Sequence, residues 1–190
     1  YDAYNTALQI ESSSKIQNYH KSKLVPGVEK IPFHSLFKPL ETLAIDLGGT
    51  TGSLGMQKER SVFKSSAQGD SSKIKVAPVI CYESVYGEYV SEYVGKGANL
   101  IFIITNDGWW ENTSGKDQHL DYAKLRAIET RRWVCRSANT GISAFINQRG
   151  DIVKQTKWWT RTAIKQDINL NSDLTFYVLH GDYLPKTGSL

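Results

Sequence analysis

The chain has 190 residues, 40% of them hydrophobic and 22% charged, an ordinary balance for a single globular domain, 1–190, with a sizeable core. Its 23 basic and 19 acidic residues leave a formal charge of +4 with no dense Lys/Arg block of the kind that tracks phosphates, which argues against nucleic acid as a partner and leaves only a weak pull toward anionic headgroups. Two cysteines make no disulfide framework, no Cys/His cluster has metal-ligand spacing, and no apolar run reaches the roughly 20 residues that span a bilayer.

In chain order, residues 3–10 and the stretch around Tyr19 read as short strands separated by the polar turn Ser12-Ser13-Ser14. From Leu24 to Leu47, Pro26, Pro32 and Pro39 favour an irregular, pinned path with one short helix near Ser35–Leu40. Gly48 to Gly55 is a glycine-rich loop without the Gly-Lys-Ser/Thr ending of a phosphate-binding loop or a dinucleotide fingerprint. The run 73–81 is rich in β-branched residues and predicts a strand ending at Cys81. A helix from Glu83 to Gly97 follows, on the spacing of Val85, Tyr89, Val90, Tyr93 and Val94.

Residues 98–105 form a continuous apolar run, which predicts a strand buried on both faces. Ser114 to Trp133 predicts a second helix with Leu120, Ala123, Ala127 and Ile128 on one side. The remainder reads as paired strands at 141–147, at 152–156 after a turn at Arg149-Gly150-Asp151, and at 163–169. Strand, helix and buried strand in succession define an α/β layered domain.

Cys81 stands where an apolar strand meets a polar turn and a helix start, a place where the positive end of the helix dipole favours thiolate. Taken by itself, a cysteine in an apolar strand is more often a small core residue. Lys21 and Glu29, taken singly, are more often solvated surface charges, although Pro26 and Pro32 pin the backbone on either side of Glu29. The loop Thr105-Asn106-Asp107-Gly108-Trp109-Trp110-Glu111 follows a buried strand, at the end of the sheet where α/β proteins place ligands. Its paired tryptophans suit an apolar groove, a lipid surface or packing on the domain itself. His119 could serve as a base, but near a helix start it is more often a capping or packing residue, and Cys135 reads as structural.

Taken in order, Tyr19-His20-Lys21, Leu24-Val25-Pro26, Glu29 and Ile80-Cys81-Tyr82-Glu83 resemble the nitrilase superfamily. Within it, the segments Thr105 to Trp110, Gln118-His119, Leu125 to Glu129 and Arg136 to Ile142 resemble the apolipoprotein N-acyltransferases, with the likeness running from about Tyr1 to Asp151. The resemblance implies an α/β fold, a nitrilase-type αββα sandwich, incomplete here at its N-terminal edge. It implies Cys81 as nucleophile and Lys21 as the catalytic lysine, with Glu29 and Glu83 as supporting acids. Tyr82, Asn106 and Trp109 fall in the oxyanion and substrate loops.

The implied reaction passes a fatty acyl chain from a phospholipid donor, through a cysteine thioester, to the diacylglyceryl-cysteine of an apolipoprotein acceptor, with no metal or cofactor. It implies a bacterial inner-membrane enzyme whose catalytic domain faces the periplasm. The family's base is a glutamate on a strand well upstream of the lysine. Only Glu11 precedes Lys21 here, at a turn and too close to it, so the base, the membrane helices and a last helix after Leu190 are expected outside this chain, which begins with Tyr1 and would be inactive alone. Two rivals stand beside this reading: a soluble carbon-nitrogen hydrolase using the same cysteine, and a non-catalytic domain on the same fold. Replacing Lys21 by alanine is expected to cut turnover and leave the fold intact.

Overall fold

The computed structural model describes residues 3–11, 15–26, 28–30, 54–65 and 74–183. The helix expected near Ser35–Leu40, the turn Ser12-Ser13-Ser14 and most of the loop from Gly48 lie outside these residues. Two strands, β1 (Thr6–Gln9) and β2 (Gln17–His20), pair antiparallel. A second sheet runs in the order β3 (Phe63–Ser65), β4 (Ile74–Ile80), β5 (Leu100–Asn106), β6 (Val134–Asn139), β7 (Ala144–Ile146) and β8 (Ile152–Gln155). Its centre, β4-β5-β6, is parallel, and the outer pairs are antiparallel.

Parallel neighbours need crossovers, and these are α1 (Gly87–Gly95) between β4 and β5 and α2 (Gly115–Thr130) between β5 and β6. Both crossovers step across the sheet in one direction, so right-handed connections put both helices on one face. There Ala77, Val79, Ile101, Ile103 and Val134 of the strands are sealed with Tyr89, Val90, Tyr93, Ala123 and Ala127 of the helices. A last short helix, α3 (Phe176–His180), packs against α1 and α2.

The hairpin β1-β2 is fastened to the edge of the large sheet by amide side chains. Gln17 offers Lys64 both a donor, Nε2 to the carbonyl at 2.7 Å, and an acceptor, Oε1 for the N–H at 2.9 Å, so one side chain imitates a strand partner. This docking carries Tyr19 into the core and brings the exit of β2, at Ser22, to Glu83 just beyond β4.

Four sequence expectations are corrected. β5 is buried on one face only, because Phe102 and Ile104 stand 41% and 48% exposed on the face away from the helices. The first helix starts at Gly87, since Cys81–Val85 forms a 3-10 turn. The second ends at Thr130, because Arg131 takes a left-handed conformation (φ 52°) and turns the chain into β6, whose span includes Cys135. Residues 163–169 form no strand. Ile164, Gln166 and Ile168 are half-buried and their neighbours exposed, so the alternation reflects one-sided burial of an extended segment without a backbone partner.

Candidate active site

The end of β4 makes a sharp elbow. Ile80 is still extended, and the next residue, Cys81, has φ +50°, a conformation that costs a residue other than glycine about 1–3 kcal/mol. Side chains on both sides fix it. Ser84 Oγ donates to the Cys81 carbonyl at 2.8 Å, and the Ile80 N–H donates to Glu83 Oε2 at 2.9 Å.

Glu83 is fully buried, and its carboxylate is met by neutral donors. Oε1 accepts from Tyr19 OH (2.6 Å), Tyr89 OH (2.8 Å), and the backbone N–H groups of Ser22 (2.7 Å) and Lys23 (3.3 Å). One carboxylate therefore ties the end of β4 to the exit of β2 and to α1. Burial and the nearby Glu83 charge push the Tyr19 hydroxyl up to about 12 and raise Tyr89 and Tyr93 further. Tyr19 and Tyr89 therefore stay protonated as donors to Glu83 at any physiological pH, and the Tyr93 hydroxyl meets that of Tyr89.

Lys21, one residue beyond β2, is buried, not solvated. Its Nζ donates to both oxygens of Glu29, at 2.8 and 2.7 Å. Glu29 also accepts from the Val25 N–H at 2.8 Å and from Asn5 Nδ2 at 3.1 Å. The turn that presents Glu29 closes through its own N–H to the Val25 carbonyl at 2.9 Å, so Pro26 sits inside a tight loop.

A largely apolar cavity of about 360 Å³ joins these parts, with Cys81, Glu29, Val25, Val28, Tyr82, Asn106, Trp109, Trp110 and His119 on its walls. Asn106 ends β5, and its Oδ1 accepts from the Gly108 N–H at 3.2 Å, setting the short turn Gly108–Trp110 that carries both tryptophans. Trp109 is 55% exposed and Trp110 42%, so the wall they form is open to solvent. Tyr82 stacks edge-to-face on Tyr86, with ring centroids 5.3 Å apart. The sequence-predicted residues Cys81, Glu29, Tyr82, Asn106 and Trp109 thus meet at one cavity, with Lys21 joined through Glu29. Glu83 lies beneath it.

Sequence reasoning missed a polar cluster under the elbow. Asp107, His119 and Arg136 are all buried. His119 Nδ1 lies 2.9 Å from Asp107 Oδ1, Arg136 pairs with Asp107 Oδ2, and His119 Nε2 reaches the Cys81 carbonyl at 3.3 Å. Burial pushes the Asp107 carboxyl up, but the His119 hydrogen bond and the Arg136 guanidinium outweigh it and hold the group below the ordinary carboxylate range. The available signal was register: His119 falls on the stripe of Ala123 and Ala127, the face that the helix buries. By contrast, at the half-buried Cys135 burial alone pushes the thiol up to about 12.

The family model for carbon-nitrogen hydrolases matches residues 1–172, and the chain belongs to that family. Among curated proteins it is 35% identical to an apolipoprotein N-acyltransferase of Chlorobaculum tepidum over 97% of its own length and 34% of the relative's. It is 31% identical to the apolipoprotein N-acyltransferase of Thermotoga maritima over 96% of its length and 34% of that protein. The chain thus spans about a third of these relatives. Among solved structures, Saccharomyces cerevisiae Nit3, a nitrilase-superfamily member, aligns with a TM-score of 0.57 at 17% identity, over 82% of this chain and 50% of Nit3. An amidase variant from Nesterenkonia sp. AN1, which shows acrylamide added to its active-site cysteine, aligns with a TM-score of 0.55 at 15% identity, over 97% of this chain and 63% of the amidase. The fold is the nitrilase-type α/β architecture.

Proposed function

We propose that this chain is the cysteine-bearing catalytic part of an apolipoprotein N-acyltransferase. The observation that carries this is the position of Cys81, on a strained elbow at the wall of an apolar cavity that also holds Glu29 and two tryptophans. The 35% identity to the Chlorobaculum relative supports the choice of reaction.

The Cys81 thiol loses its proton to a glutamate that the family resemblance places on a strand upstream of the lysine. The thiolate then attacks the carbonyl carbon of a phospholipid acyl ester. The ester C–O bond breaks, the departing alkoxide takes up a proton, and a lysophospholipid leaves behind a Cys81 thioester. In the second half, the amino group of a diacylglyceryl-cysteine attacks the thioester, the C–S bond breaks, the amine proton passes to the base, and the thiolate is restored. A thiolate serves both as nucleophile and as leaving group, so one hard transfer becomes two easier ones. The Lys21 ammonium and the Tyr82 N–H stabilise each oxyanion, while Asn106 and Trp109 shape the acyl wall. Glu29 orients the lysine, and Glu83 holds the strand ends in register. No cofactor enters this scheme, and the family resemblance implies a site at the periplasmic face of the bacterial inner membrane. No helix among the described residues is long and apolar enough to cross a membrane, so attachment would come from other parts of the protein.

The test is mass spectrometry of the whole protein after incubation with a phospholipid of known acyl composition. We expect Cys81 to gain the mass of the acyl chain, the adduct to be removed by hydroxylamine, and Cys81→Ala to carry none. An equal adduct in Cys81→Ala, or ammonia release from simple amides with no lipid-derived thioester, would overturn the acyltransferase reading.

A further inference from the structure

The strained nucleophile needs an anchor on its carbonyl side, and the buried cluster of His119, Asp107 and Arg136 supplies one. The Cys81 carbonyl has two side chains within reach, Ser84 Oγ at 2.8 Å and His119 Nε2 at 3.3 Å, and these two also meet each other at 3.1 Å. On its other side the ring is held by Asp107, whose Oδ1 faces Nδ1 at 2.9 Å and also accepts from Thr105 Oγ1 at 3.0 Å. A carboxylate only accepts, so Nδ1 carries a proton toward it, which fixes the ring plane; Nε2 faces the elbow and donates to the Cys81 carbonyl when it carries a proton as well. Asp107 is in turn fixed by Arg136, which also donates to the Ile142 carbonyl. The chain of contacts runs from β6 through the end of β5 and the second turn of α2 to the backbone of Cys81.

Packing alone does not account for this arrangement. The position lies on the stripe that α2 shares with Ala123 and Ala127, where an apolar side chain would fill the space without the cost of burying an imidazole, a carboxylate and a guanidinium together. His119 also lines the reaction cavity, with the Trp110 ring centroid 6.4 Å from its own. A single side chain thus touches the nucleophile's backbone and supports one wall of the cavity.

We propose that His119, oriented by Asp107 and Arg136, is a positioning residue that holds the Cys81 carbonyl and so sets the angle at which the thiolate meets the acyl ester. This rests on Cys81 being the acyl-carrying nucleophile, and it assigns a role that sequence patterning gave to capping or packing. It makes no claim that His119 exchanges a proton with substrate.

The experiment separates positioning from stability and from the identity of the reaction. His119→Ala, His119→Gln and Asp107→Asn are made in the whole protein, with Val90→Ala as a core variant of comparable thermal destabilisation. Two rates are read: alkylation of Cys81 by iodoacetamide, which needs no lipid, and phospholipid-dependent thioester formation with its kcat and KM. Misplacing a reacting group by about an ångström costs up to about a hundredfold, so we expect His119→Ala and Asp107→Asn to lower kcat by about ten- to a hundredfold with KM within about twofold. His119→Gln, whose amide nitrogen can donate where Nε2 does, recovers most of that loss. Val90→Ala leaves both rates near wild type. Unchanged kcat and alkylation in His119→Ala would overturn the proposal, as would equal losses in His119→Gln and Val90→Ala. Should the wild-type protein form no thioester while alkylation still falls in His119→Ala and recovers in His119→Gln, the proposed acyl transfer fails and the positioning role stands.

Discussion

Lys21 is where chemistry and stability are hardest to separate. Its ammonium is 1% exposed and held bidentately by Glu29, so it was drawn out of water together with its partner. That burial revises the expectation that replacing Lys21 leaves the fold untouched. Removing one member of a buried pair strands the other, at a cost of about 3–5 kcal/mol. We expect Lys21→Met to lower the urea midpoint accordingly and to abolish acyl transfer. Lys21→Met combined with Glu29→Gln relieves the stranded carboxylate, so most of the stability returns while acyl transfer does not. Recovery of turnover in the double variant would remove the ammonium from the chemistry. Glu83 shows the alternative solution to a buried carboxylate. Backbone and phenol donors satisfy it in place of a cation.

Among the elements, the turn between α2 and β6 has the clearest consequence for the site, because it sets where Arg136 enters the sheet. Arg131 ends the helix in the left-handed region, and the next side chain, Arg132, turns inward and is fully buried. Its Nε donates to the Ala98 carbonyl at 3.0 Å, and its Nη1 to the carbonyls of Thr130 at 3.0 Å and Asp173 at 2.8 Å. One guanidinium therefore binds the α1-β5 connection, the end of α2 and the C-terminal segment that leads to α3. Replacement by methionine keeps much of the apolar stem and leaves three carbonyls without this donor. We expect Arg132→Met to cost about 2–4 kcal/mol in urea unfolding and to speed proteolysis around residues 171–175. Cleavage there at the wild-type rate would show that the segment is held by α3 instead.

The whole molecule is a sheet with two unlike faces. One is sealed by α1 and α2, and the other carries Phe102 and Ile104 in partial contact with solvent. Neighbours on β5 should therefore respond in opposite ways to the same truncation. Ile103, 1% exposed among the helices, should lose about 2–5 kcal/mol as Ile103→Ala, whereas Phe102→Ala should cost less than about 1.5 kcal/mol in this chain by itself. Equal losses, read from thermal or urea unfolding, would mean that the second face is also covered.

By itself the sequence determined whatever depends on local pattern. The β-branched run into Cys81 marked β4, the apolar run after it marked β5, and the spacing of Leu120, Ala123 and Ala127 marked α2. Those three elements place a cysteine at a strand end, and the ordered motifs from Lys21 to Ile142 pointed to the family. One-sided burial at 163–169 was legible too, but alternation does not specify a backbone partner. Tertiary structure alone decided the rest, because the deciding contacts join residues far apart in the chain. Glu83 meets Tyr19, His119 meets the Cys81 carbonyl, and Arg136 meets Asp107 only once the strands have found their neighbours. Composition and periodicity report which side chains prefer burial; which buried donor faces which buried acceptor is fixed by strand order and register, and no local pattern encodes those.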